Sequence, residues 1–278
     1  MPAWSAEELL RIEAGSLQEQ LVSLTKQMKA RTRVALAQGL LMGRYGLDSP
    51  EQAFTLLRQT SQRFNIKLHQ IAAALTTTPG PAAPVGSGPW FPGRPALSPP
   101  ALSGLKAGGL DPRNQGEVLG TAMTRVMEVA GAPWGNAQLA EAGVLRLEKS
   151  RGHSQEFVDY FAFVEDGTSC SRAAEAARQV TVRDITTTAV FDDETRQVIL
   201  ASGSRATHSL PLVGRDGVVR GVISTHHPDP LPNGLDQHRL AELERIQHLV
   251  GGWLQWHAET VVLDALEHLH RHAGLSAP

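Results

Sequence analysis

The sequence predicts a multidomain protein with an all-α N-terminal region and an α+β C-terminal region built on an antiparallel sheet. Three observations lead to this fold class. Helical spacing of apolar residues, with helix-capping signals, runs through residues 5–76. A stretch rich in proline, glycine, alanine and serine follows at residues 77–113. Residues 114–272 alternate hairpin patterns with helical ones, which is typical of an antiparallel sheet with helices on its faces.

The N-terminal region is expected to begin with a long helix. Ser5 is a favourable N-cap, and Glu8 completes a capping box three residues later. The apolar residues that follow have the spacing of a coiled-coil seam and are Leu10, Leu17, Leu21, Leu24 and Met28. We expect the seam to pair two copies of the chain in a homodimer. The alternative is an amphipathic helix packed on its own domain.

Two short helices are expected after the long one. Gly46 can end the long helix in the left-handed conformation, and Ser49, Pro50 and Gln52 provide the N-cap, first position and capping-box residue of the next. Asn65 is expected to cap the third helix. The residues expected in the core of these helices are Ala37, Leu41, Met42, Ala53, Phe54, Leu57, Leu68, Ile71 and Ala72.

Residues 77–113 are expected to form a linker. Nine of the 17 prolines of the chain lie between Pro79 and Pro112. Proline lacks an amide donor and disfavours helix in the preceding residue, so an extended segment is expected. Trp90 and Phe91 within it are candidates for docking on a folded region.

The C-terminal region alternates strands and helices. Hairpins are expected to pair residues 136–140 with 144–148 and residues 206–213 with 218–225, with a further strand at 180–184. The expected helices cover residues 117–130, 154–163, 171–178, 192–202 and 235–270.

Charge is unevenly distributed along the chain. Eight Lys and Arg residues but only two acidic residues lie between Lys26 and Gln70, whereas the whole chain has a net charge of -2 and a pI of about 6.6. A basic helical region attached to an acidic body suggests a polyanion-binding head. Without further information, a solvated cationic face would be the simpler interpretation.

Several classes are disfavoured by composition. No apolar run approaches the roughly 18 residues that a membrane span requires. The N-terminus has acidic residues and no apolar signal core, so no secretion signal is expected. Cys170 is the only cysteine, which excludes an intrachain disulfide and disfavours a cysteine-ligated zinc site. A cytoplasmic protein without a membrane partner is expected.

Residues 17–76 resemble an ANTAR domain, the RNA-binding module of transcription antitermination regulators. The resemblance rests on the spacing of Arg31, Val34, Ala37-Gln38-Gly39, Leu41-Met42, Arg44 and Gly46, and on Ala53-Phe54, Leu57-Arg58, Ser61, Asn65, Lys67-Leu68 and Ala72. It implies a structured RNA, presented as hairpin loops, as the partner. It also implies that two heads of a dimer hold two hairpins of one transcript.

Residues 114–260 resemble a GAF domain, a fold that senses small molecules or signals. The resemblance rests on residues 131–139, 167–170, 180–185, 209–213, 214–217 and 221–226. It implies a possible small-molecule ligand. The candidate ligand-binding residues are Cys170, His208, Ser224 and His226.

RNA recognition combines phosphate neutralisation by Lys and Arg with stacking and edge hydrogen bonds to unstacked loop bases. Gln38 can bond a base edge, Gly39 permits close approach, and Tyr45 can stack on a base or pack in the turn. The candidate RNA-binding residues are Arg31, Arg33, Gln38, Gly39, Arg44, Tyr45, Arg58 and Lys67.

No catalytic constellation, metal site or cofactor is expected, and the protein is not predicted to be an enzyme. His268 and His272 have metal-binding spacing but no evident carboxylate ligand nearby. Two alternatives remain open. The helical region could bind another protein in a purely sensory or dimerisation role, or a GAF-fold redox enzyme could use Cys170. A DNA-binding helix-turn-helix is a weaker alternative to the RNA-binding interpretation.

Overall fold

The computed structural model describes residues 32–82, 88–141 and 143–273. The predicted coiled-coil seam and Arg31 lie outside these residues. The described residues confirm the fold class, with N-terminal helices followed by an α+β domain. None of the helices in these ranges is long and apolar enough to cross a membrane.

Three helices form the N-terminal module. Helix α1 is described over residues 32–45, α2 spans Pro50–Phe64 and α3 spans Leu68–Thr77. Gly46 follows α1 with a φ of 64°, in the left-handed region that glycine adopts without strain. The Ser49 side chain accepts a hydrogen bond from the Gln52 amide at 3.3 Å, as its predicted N-cap role requires. The buried hydrophobic residues of the module are Ala37, Leu41, Tyr45, Leu47, Ala53, Leu56, Leu57, Ile66, Ile71, Ala72 and Leu75.

Two details differ from expectation. Asn65 ends α2 rather than capping α3, because it takes the left-handed conformation at φ 51° and bonds back to the Ser61 carbonyl. Lys67 occupies the N-cap position of α3 without a side-chain cap. Phe54, expected in the core, is 40% exposed because α2 turns Ala53 and Leu57 inward instead.

The α+β domain is built on a six-stranded antiparallel sheet with strand order β3-β2-β1-β6-β5-β4. The strands are β1 (Trp134–Glu141), β2 (Val144–Arg151), β3 (Phe163–Val164), β4 (Val180–Val182), β5 (Ala206–Val213) and β6 (Val219–His227). Both predicted hairpins are present as β1–β2 and β5–β6. The pairing of β1 with β6 joins them through Asn136 opposite Ser224.

Helices cover both faces of this sheet. On one face lie α4 (Gln115–Ala130) and α8 (Gln237–His257), whose apolar core is continuous with that of α9 (Leu263–Ala273) and the N-terminal module. On the other lie α5 (Gln155–Tyr160), α6 (Ser169–Ala176) and α7 (Asp193–Ala201), with a separate core that includes Phe157, Phe161 and Val222. The module therefore packs on the first of the two faces.

A single long helical rod connects the sheet to the module. Helix α8 packs on β5, a π-helical turn at Ala258–Val262 follows, and α9 packs against α2 and α3. Tyr45 of the module donates to or accepts from His270 of α9 at 3.0 Å. The C-terminal helix thus holds the two regions together.

Residues 88–113, here called the strap, run along this rod. The indole nitrogens of Trp253 and Trp256 donate to the carbonyls of Pro112 and Leu97, each at 2.9 Å. The backbone amide of Trp90 donates to the Glu267 carboxylate at 2.9 Å. Apart from a 3-10 turn at Ser103–Leu105, the strap has neither helix nor strand, and these bonds give it a defined course over α8 and α9.

Two adjacent glycines of α8 provide a test of the close packing between the rod and the sheet. A Cβ at Gly251 would overlap the backbone of Val213 in β5, whereas one at Gly252 would meet only the Arg215 side chain at 3.9 Å. We expect Gly251→Ala to destabilise the fold by about 1 to 3 kcal/mol, the usual cost of overpacking. Gly252→Ala should be neutral or stabilising by up to about 1 kcal/mol, because alanine favours helix. Urea unfolding of both variants measures the difference, and equal stability would contradict this packing.

Candidate functional site

The predicted RNA-contact residues that the structure describes lie on α1, on α2 and at the N-cap of α3. Among the described residues, Arg58 on α2 is exposed and forms no ion pair. Gly39 is exposed, and a Cβ there would meet no atom within 4 Å, so a partner has room to approach. Gln38 is partly committed, because its side-chain amide donates to the Pro50 carbonyl at 2.8 Å.

Two of the predicted cations contact carboxylates of the β1–β2 hairpin. Arg33 Nη1 lies 2.6 Å from Glu141 Oε1, at the end of β1. Lys67 pairs with Glu148 on β2, whose side chain is only 2% exposed. A carboxylate this buried requires charged or hydrogen-bonding partners, so Lys67 offsets much of the desolvation cost of Glu148.

His69 lies between the same two carboxylates. Its Nδ1 is 3.4 Å from Glu141 and its Nε2 is 3.4 Å from Glu148. Burial lowers the pKa of His69, but the contacts with Glu141 and Glu148 outweigh it, so the pKa is raised above 6.5. Burial likewise raises the pKa of both carboxyls, but His69, Arg33 and Lys67 outweigh it and hold them below 4.5. Between pH 4.5 and pH 6.5, the side chains of His69, Glu141 and Glu148 are therefore all charged.

The other end of α1 is covered by the strap and by α9. The Arg44 guanidinium lies 4.9 Å from the ring centroid of Trp90, within cation–π distance. Tyr45 is only 5% exposed, and burial raises the pKa of its phenol, which bonds to His270. In this arrangement Tyr45 packs in the turn, the second of the two roles expected for it.

A layer of polar side chains lines the opposite face of the sheet, below α5 and α6. We call it the polar layer, and it comprises Asn136, Gln138, Ser209, Ser224 and His226. The hydroxyls of Ser209 and Ser224 are 2.9 Å apart, and Ser209 also donates to Ser169 of α6 at 3.0 Å. All five side chains are buried.

Several polar atoms in and above this layer have no hydrogen-bond partner within the described chain. They include Asn136 Oδ1, Gln138 Oε1 and both ring nitrogens of His153. The His153 ring lies 4.6 Å from His226 and stacks on Phe157 at 3.9 Å. Burial lowers the pKa of His153 to about 4 and that of His226 well below 6.5, so both imidazoles are neutral at pH 7. Neutral groups with unmet hydrogen-bonding capacity suit a small polar ligand better than a strongly charged one.

The structure brings three of the four candidate ligand residues to this face. Ser224 and His226 belong to the polar layer. Cys170 on α6 follows Ser169, which accepts a hydrogen bond from Ser209 of that layer. His208 points the other way, because it is paired with Thr225 and bonds Gln179, whose amide donates to Leu240 of α8. Within the described residues, no group of three or more His, Cys, Asp and Glu could hold a metal ion.

Comparison with known proteins identifies the N-terminal module. The ANTAR domain model matches residues 23–75. No curated protein matches the chain.

Solved structures similar to the α+β region include GAF domains. A GAF domain/HD domain protein from Geobacter sulfurreducens is 13% identical with a TM-score of 0.44, over 55% of this chain and 98% of its own. The GAF domain of an Acinetobacter phosphoenolpyruvate-protein phosphotransferase is 14% identical with a TM-score of 0.43, over 52% and 84%. A type II free methionine-R-sulfoxide reductase from Thermoplasma acidophilum is 17% identical with a TM-score of 0.40, over 49% and 88%.

Residues 23–75 therefore match an ANTAR domain, and the α+β region that follows is built on an antiparallel sheet, as the sequence predicts.

Several residues of both sites were not anticipated. Glu141, Glu148 and His69 have no motif, and only the excess of cations in the module indicated that carboxylate partners were needed. Asn136 and Gln138 had a signal, since two amide side chains alternate along a strand of otherwise small and apolar residues.

The contacts of His69 predict a pH-dependent stability. Because its pKa is raised in the folded state, its contribution is fully present below 6.5 and is lost as pH rises through the folded-state pKa. We expect His69→Gln to cost about 1 kcal/mol near pH 6 and much less near pH 8.5. Urea unfolding across this range measures it, with exposed His238→Gln as the control. A cost that is independent of pH would contradict the role of His69.

The burial of Cys170 predicts that its thiol reacts slowly. Burial raises the pKa of Cys170, against the opposing effect of the hydrogen bond between its thiol and the Thr168 hydroxyl at 3.0 Å, and the thiolate is the reactive form. We expect alkylation by iodoacetamide at neutral pH to be on the order of 100-fold slower in the native chain than in urea. Mass spectrometry measures the rates, with Cys170→Ser as the background. Similar rates in both states would indicate an accessible, activated thiol.

Proposed function

We propose that the protein is a cytoplasmic, RNA-binding regulator of transcription antitermination whose module binds hairpin RNA under control of the GAF-like domain. The observation that carries this proposal is the coincidence of the ANTAR match with the cationic helices. Residues 23–75 match the domain model, and the same stretch contains all eight Lys and Arg residues of the basic helical region.

Electrostatics and geometry both support RNA as the ligand of the module. Lys and Arg gain affinity by neutralising phosphates and releasing counterions. The exposed Arg58 and the open surface at Gly39 offer a first contact, and Arg33 and Lys67 add charge when their carboxylate partners are exchanged for phosphates. Gln38 can read a base edge.

Homodimerisation through the predicted seam at residues 10–28 would place two modules on one transcript. The second hairpin would then bind at the high effective concentration set by the first. The antiterminated RNA fold would be favoured over a terminator hairpin in this arrangement.

The polar layer is the proposed site of signal input. Its unpartnered atoms on Asn136, Gln138 and His153 would bond a small polar molecule lying near Ser224, His226 and Cys170. His208 lies outside this proposed site, on the face of the sheet that packs against α8. A regulatory rather than enzymatic role fits the buried Cys170, which has no second cysteine as a resolving partner.

The exposed Arg58 provides a direct test of RNA binding. We expect Arg58→Ala to weaken binding of the full chain to hairpin RNA and to lower the slope of log K against log salt by about 0.7 to 0.9, as for one lost phosphate contact. Filter binding across a potassium chloride series measures both quantities.

The matched control is Arg178→Ala, which removes the same charge from an exposed position of the α+β domain. It should leave the affinity and the slope unchanged. If the two variants had equal effects, or if the full chain bound hairpin RNA no more tightly than it binds a generic polyanion, the module would instead be a protein-interaction or dimerisation unit.

A further inference from the structure

Four of the candidate RNA-binding side chains are engaged by groups that lie outside the three-helix module. Arg33 contacts Glu141, Lys67 contacts Glu148, Arg44 lies over Trp90 and Tyr45 bonds His270. These are the side chains that would contact phosphates or stack on bases. The described structure is therefore one in which much of the RNA-binding face is occupied by other parts of the protein.

The occupying groups resemble the RNA chemistry that they replace. A carboxylate, like a phosphate oxygen, accepts charge-assisted hydrogen bonds from Arg and Lys. An indole ring under a guanidinium takes the place of a nucleobase, because both offer a π-face to the cation. RNA and these groups cannot use the same side chains at once.

Both sets of contacts are anchored in the GAF-like domain. Glu148 belongs to the central part of β2 and is also 3.7 Å from Arg146, so the hairpin holds its carboxylate in place. Trp90 is fixed to α9, because Glu267 accepts hydrogen bonds from the backbone amides of Trp90 and Phe91 at 2.9 and 3.2 Å. Each set therefore includes a partner group that the fold of the α+β domain holds in position.

We propose that the structure is a closed state in which Glu141 and Glu148 of the β1–β2 hairpin, with Trp90 of the strap, compete with RNA for the ANTAR module. This inference rests on the proposed function and supplies the regulation of that site. RNA binds only when the pairs open, so the observed dissociation constant equals the intrinsic one divided by the open fraction. Any signal that weakens the hairpin contacts raises RNA affinity without adding a contact to RNA.

The first test removes the carboxylate charges from the full chain without shortening the side chains. We expect Glu141→Gln with Glu148→Gln to raise affinity for hairpin RNA by about tenfold or more if fewer than about one chain in ten is open. The control is Glu175→Gln with Glu244→Gln, which changes the net charge equally at exposed positions of the same domain. The control should raise the affinity far less.

The second test uses the unaltered chain, so it does not depend on the folding of any variant. Carbodiimide-driven labelling of carboxyl groups, followed by peptide mass spectrometry, reports the exposure of each Glu side chain. Glu148, 2% exposed in the closed state, should label slowly in the free protein and faster with saturating hairpin RNA. Exposed Glu175 should label equally in both conditions.

The outcomes separate the two proposals. If RNA binds but the Gln pair binds no tighter than the control pair, and RNA leaves the labelling of Glu148 unchanged, the closed state is wrong and RNA binding stands. If no variant, including the Gln pair, binds hairpin RNA better than a generic polyanion, the RNA-binding function itself is wrong.

Discussion

The apolar packing of the C-terminal helical rod against two partners is the constraint on which the rest of the molecule depends. Helix α8 buries Leu243, Val250 and Trp253 in the core that contains the sheet residues Leu210 and Ile223, while α9 buries Leu266 and Leu269 in the same core beside the module. A continuous core of this kind leaves little freedom for the two regions to slide past each other. The register of the rod thereby places the hairpin carboxylates opposite α1 and α3.

Electrostatic contacts then operate within that fixed geometry. Glu148 would be costly to bury without a partner, and Lys67 and His69 supply one only because α3 lies against the hairpin. Asn136 and Gln138 of the polar layer lie on the opposite face of this hairpin, because they alternate along β1 with residues that face the module side. Events at the polar layer and at the ion pairs are thus separated by the thickness of one sheet.

Local patterns predicted most of the fold, because they carry local physical signals. Turn residues marked both hairpins, and Ser49-Pro50 marked the start of α2, since capping and turn chemistry act within a few residues of the chain. The role expected for Asn65 was wrong, because the same side chain suits a helix end as well as a helix start. The partners of Arg33, Arg44 and Lys67 could not be predicted, since they are brought together by long-range packing that no spacing records.

The same distinction between local signals and long-range packing applies to the candidate sites. Residue type and family pattern indicated which side chains could contact RNA, but their accessibility depended on the strap and on the β1–β2 hairpin. Of the candidate ligand residues, Ser224 and His226 lie in the polar layer, whereas His208 lies on the opposite face, because adjacent residues of a strand point in opposite directions. A π-helical turn at Ala258–Val262 separates α8 from α9. Each residue of an α-helix advances the side chains by about 100° around the axis, so the one extra residue in a π turn changes the angular phase of everything beyond it. Glu267 and His270 owe their orientation towards the strap and Tyr45 to that phase offset, and a rod with an uninterrupted α-helical repeat would rotate both side chains away from their partners.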